Sequence, residues 1–75
     1  MVEASQIREH MEVVGSDGAH VGTVDRIEGQ RIKLTKSDPA SGGQHRYIDL
    51  VMVEEVKDGS VCLSQTAEEA QRAWR

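Results

Sequence analysis

Aromatic side chains are nearly missing from this chain: there is no Phe, one Tyr and one Trp in 75 residues. A core must therefore be built from Val, Ile, Leu and Met, each worth roughly 1.5–3 kcal/mol when fully buried. A domain of this length buries only about 60% of the surface its unfolded form exposes, while ordering costs about 1.5 kcal/mol per residue. The margin is narrow, so the expectation is a single domain over residues 1–75 that covers further apolar surface by self-association, most simply as a dimer. Cysteine is as scarce. Cys62 stands alone, which excludes an intramolecular disulfide framework and any Cys-x-x-Cys zinc or redox site. A reducing, cytoplasmic setting is the corresponding expectation. No segment has the basic start and apolar run of a signal peptide, and none approaches the roughly 20 apolar residues that cross a bilayer, so membrane insertion is not expected. An excess of positive charge is lacking too. The formal charge of −4 opposes wrapping by nucleic acid, because phosphate binding rests on Lys and Arg displacing counterions.

What is present is β patterning. Met11 and Val13 share one face by period-two alternation, and Ser16-Asp17-Gly18 supplies hairpin-turn residues between Val13-Val14-Gly15 and Val21-Gly22-Thr23-Val24. Val24 and Ile27 are three apart, which strict alternation cannot place on one side; a bulge near Asp25-Arg26 reconciles them. Gly22 in mid-strand suits close approach by a neighbour. Residues 31–36 alternate most cleanly, with Ile32 and Leu34 inward and Arg31, Lys33 and Thr35 outward. An eight-residue loop, 37–44, holds the only proline and a glycine pair; a short strand resumes at 45–49, Leu50 to Val53 leads into Glu54-Glu55-Val56, and a last strand spans 60–64. At Thr66 the period changes. Thr66-Ala67-Glu68-Glu69 is a capping box opening a helix over 65–75, with Ala70 and Trp74 on one face. Ile7 and Met11 could anchor one turn near Ser5, but residues 1–9 are otherwise expected to be loose.

The run Asp17, Gly18, Val21, Gly22, Val24, Asp25, followed by Val61, Leu63 and Thr66-Ala67-Glu68-Glu69-Ala70, resembles the PRC-barrel superfamily. Within it the chain is similar to a bacterial family of small stand-alone proteins known as a domain of unknown function. His10 to Gly15, Ile32 to Lys36, Asp38-Pro39, Gly42-Gly43, His45 and Tyr47-Ile48 carry this closer likeness. Asp49 departs from it, standing where that family has proline, and Met52 stands in place of an aromatic. The resemblance implies a mainly β fold, a small barrel of about six short antiparallel strands with a short C-terminal helix. It also implies a scaffold for protein or ribonucleoprotein contacts.

No residue set points to a reaction. His10, His20 and His45 match no ligand spacing and read as surface or rim histidines. The loop 37–45 lacks the lysine and following helix of a phosphate cradle; it reads as a connection, and loops are where binding concentrates. Cys62 has no histidine beside it to activate a thiolate. Glu54-Glu55 and Glu68-Glu69 are not placed as an acid and base pair. The expectation is therefore a non-enzymatic interaction module without cofactor or metal, with a protein partner. Its surface would draw on Asp38, Pro39, Gly42, Gly43, His45, Tyr47 and Trp74. One alternative is a ribonucleoprotein-associated domain using Arg31, Lys33, Lys36 and Arg46, though a solvated outward face explains those charges more simply. Another is a metal or small-ligand binder at the 37–45 loop.

Overall fold

The computed structural model describes residues 4–39 and 42–73. The described residues form a mainly β fold of six strands, β1 (Glu12–Val14), β2 (His20–Glu28), β3 (Arg31–Leu34), β4 (Arg46–Asp49), β5 (Val53–Lys57) and β6 (Ser60–Leu63), followed by helix α1 (Ala67–Ala73). Short 3-10 turns at Ala4–Gln6 and Leu50–Met52 precede β1 and β5. The strands lie side by side in the order β4-β3-β2-β1-β6-β5.

Alternation decides which side chains turn inward. In β3, Ile32 and Leu34 are buried between Arg31 and Lys33; in β6, Val61 and Leu63 are buried and Cys62 points the other way, half-buried. Strand β2 serves two neighbours. Its first half pairs with β1 (Glu12↔Thr23, Val13↔Gly22) and its second with β3 (Val24↔Leu34 through Glu28↔Arg31). The register shifts between Val24 and Arg26, so Asp25 is the extra residue that the Val24/Ile27 spacing required. Further shifts lie in the β1–β2 pairing and between Val53 and Glu55. Each bulge bends its strand and adds twist, which curls the sheet around Val13, Val21, Val24, Ile32, Leu34, Val61 and Leu63, all fully excluded from solvent.

Two expectations are corrected. The sheet is mixed, because β1 and β6 run parallel (Val13↔Val61, Val14↔Cys62), and it is not closed: β4 and β5 are its two edges. Hairpin patterning sees only neighbouring strands, whereas the β1–β6 pair joins distant ends of the chain. Just before β1, Ile7 is part of the core and the amide of His10 donates to the Val24 carbonyl at 2.7 Å.

The capping box forms as expected. The Glu69 amide donates to Thr66 Oγ1 at 3.2 Å and the Thr66 amide to Glu69 Oε1 at 3.0 Å. α1 buries Ala67 and Ala70 in the core, and Trp74 lies outside the described residues. Docking this close depends on Gly15: a Cβ there would lie 2.2 Å from the Ala67 nitrogen.

Candidate functional site

The long loop between β3 and β4 is pinned at both ends. At its start Asp38 turns into the protein, where its carboxylate is only 7% exposed. Its Oδ2 accepts from Thr23 Oγ1 at 2.6 Å and lies 2.7 Å from His20 Nε2. The other ring nitrogen, Nδ1, lies 2.9 Å from Glu12 Oε2. Glu12 and His20 open β1 and β2, and Thr23 faces Glu12 across their ladder, so three chain segments meet at one imidazole. A neutral imidazole has a single N–H, and only the imidazolium satisfies both carboxylates. The hydrogen bond to Glu12 raises the His20 pKa above its usual 6.5; burial opposes this, and Asp38 adds to it. At the loop's end, His45 Nδ1 donates to the Leu34 carbonyl at 3.0 Å, with Asp25 Oδ2 at 3.9 Å.

This cluster ties the start of the loop to β1 and β2. Both nitrogens of His20 are engaged, and they face separate carboxylates. Among the described residues no group of three or more His, Cys, Asp or Glu side chains could hold a metal ion.

A second feature lies at the β4 edge. Tyr47 and Asp49 share the outward face with Lys33 and Arg31, their partners in the β3–β4 register. Arg31 Nε lies 3.6 Å from Asp49 Oδ1. Glu28 accepts from Arg26 Nη2 at 2.8 Å; that guanidinium, helped by Lys33 and the Tyr47 hydroxyl, holds the Glu28 carboxyl below its usual range. Glu28, Gln30, Arg31, Tyr47, Asp49 and Val51 line an open cleft of about 580 Å³. Val51, in the 3-10 turn after β4, is 75% exposed and is the large apolar side chain left uncovered among the described residues.

The structure thus divides the residues singled out from sequence. Asp38 is buried and structural, whereas Pro39, Gly42 and Gly43 are exposed on the loop; His45 and Tyr47 are half-buried at its end and on β4. The basic residues make no single stripe. Arg31 and Lys33 face outward, Lys36 lies beyond β3, and Arg46 pairs with Leu34 on the side of the sheet that Ile48 shares. Sequence reasoning missed Glu12, Thr23, Glu28 and Val51. Hairpin register alone would have set Glu12 opposite Thr23, but nothing local announces that Asp38 reaches them.

A family model described as an uncharacterized protein conserved in bacteria (DUF2171) matches residues 7–71. No curated protein and no solved structure matches the chain.

Proposed function

The chain belongs to this uncharacterised bacterial family, DUF2171, and from that premise we propose that it is a non-enzymatic interaction module of PRC-barrel kinship, cytoplasmic, self-associating and able to bind a protein partner. One observation carries the reading: the sheet ends without closing, and its β4 edge adjoins the exposed Val51 and the Tyr47 cleft. An open strand edge presents unpaired amides and carbonyls, a template for another chain. The engaged nitrogens of His20 favour the non-enzymatic side. The separation of Arg46 from the Arg31 and Lys33 face weighs against the ribonucleoprotein alternative, since a strand track needs cations and aromatics in sequence along one surface.

Sedimentation of the full chain over a dilution series, with and without a single-stranded RNA oligomer, tests the reading. A mass that rises with protein concentration and ignores RNA is expected. RNA binding that weakens steeply with salt would replace this reading with the ribonucleoprotein one.

A further inference from the structure

We infer that a second copy of this chain adds to the sheet at the β4 edge that the described residues leave open, antiparallel, with the two Tyr47 side chains facing each other across a two-fold axis. The inference rests on the interaction reading and names its surface and its occupant.

The two sheet edges differ. β5 carries a bulge at Glu54, and Glu54, Glu55 and Lys57 are all exposed along it. Bulges and charges are the means by which an edge is kept from pairing, and pairing β5 with itself about Glu55 would set carboxylate against carboxylate. β4 has no bulge, and its two charged residues, Arg46 and Asp49, are of opposite sign. Its residues run in unbroken register with β3 from Asp49 to Arg46, so its outward amides and carbonyls recur regularly on alternate residues, Tyr47 and Asp49.

Side-chain pairing then selects the register. A two-fold axis perpendicular to the sheet keeps core face with core face, so opposed residues share an alternation phase. Centred on Tyr47, the pairing sets His45 opposite the copy's Asp49, and Asp49 opposite the copy's His45. Arg31, already beside Asp49, extends the row, so basic, acidic and imidazole groups alternate across the junction. Centred on Ile48 instead, the same edge sets Tyr47 opposite Asp49 and leaves Asp49 with no basic neighbour from the copy. The Tyr47 register is self-complementary, as an isologous interface must be, and places an aromatic at its centre, where interfaces concentrate their strongest contacts. A four-residue edge is small beside the roughly 800 Å² per partner of a stable complex. The dimer is therefore weak and concentration-dependent.

Sedimentation and amide hydrogen exchange on the full chain, both over a dilution series, test this. In the wild type, the outward amides of Tyr47 and Asp49 should gain protection as concentration rises while those of β5 do not. Tyr47→Lys puts like charges on the axis and should weaken association at least about tenfold, whereas Glu55→Lys on the opposite edge should leave it unchanged. Tyr47→Cys in a Cys62→Ser background should form an intermolecular disulfide under mild oxidation at concentrations where the wild type is dimeric. A wild-type dimer that survives Tyr47→Lys, or that protects β5 instead of β4, overturns this inference and leaves self-association standing. A wild type that stays monomeric at every concentration overturns both. The exchange readout needs no variant to fold.

Discussion

Gly15 is the residue on which the helix depends most. A methyl group there meets the backbone of Thr66 and Ala67 at 2.7 and 2.2 Å, atoms that cannot rotate away, whereas at Gly22 the nearest atom is the terminal Cδ1 of Leu34 at 2.9 Å. Gly15→Ala should therefore cost about 1–3 kcal/mol or more. Gly22→Ala should cost about 0.5–1.5 kcal/mol, the scale of a displaced rotamer; urea unfolding of both variants measures the contrast. The role of Gly22 was legible, because a glycine inside a strand signals close approach. That of Gly15 was not, because the atoms that exclude a side chain arrive some fifty residues later, as does the Ala67 amide that donates to Asp17 Oδ1. His20 makes a second prediction. Its pKa is raised in the folded state, so its stabilising contribution is complete below the unfolded value near 6.5 and is lost as pH rises through the folded value. Wild-type stability should decline across that window, and His20→Gln should flatten the decline, read from urea midpoints at successive pH values. An imidazole titrating at or below 6.5 by NMR would remove the basis for this. On deprotonation the remaining N–H should stay with buried Asp38, while the more exposed Glu12 turns to water.

Among the elements, α1 is too short to persist without support, and its first turn is held from two directions. Thr66 and Glu69 satisfy each other's amides, and Asp17, in the β1–β2 turn, accepts from both Ala19 and Ala67 at 3.3 Å. Thr66→Ala should cost about 1 kcal/mol. Asp17→Ala should loosen turn and helix together, so exchange at Ala19 and at the start of α1 should rise in the same variant. The capping box was readable because its residues lie within one turn of each other, and the Asp25 bulge because two inward side chains at the wrong spacing demand it. The parallel pairing of β1 with β6 was not. Neither strand carries a mark of its partner, and both are short enough to pair in either direction. The clamp on Asp38 was hidden for a related reason: aspartate before proline reads as a turn starter, and only the assembled β1–β2 ladder offers it Thr23 and His20.

For the molecule as a whole, few aromatic rings mean that aliphatic packing bears nearly all the weight. Stability of roughly 0.05–0.15 kcal/mol per residue leaves little reserve in a chain this short, and Leu34→Ala, at a fully buried site on β3 between β2 and β4, should remove about 2–5 kcal/mol of it. Circular dichroism should find that variant largely unfolded or melting far below the wild type. The place of β1 between β2 and β6 bears on synthesis as well as stability. As the polypeptide leaves the ribosome, its first hairpin can form early, but the flank of β1 that awaits β6 stays bare until Ser60–Leu63 emerge. During that interval the nascent chain presents a second open flank that the finished protein hides, and this unfinished seam is where chaperone contact or misassembly should concentrate.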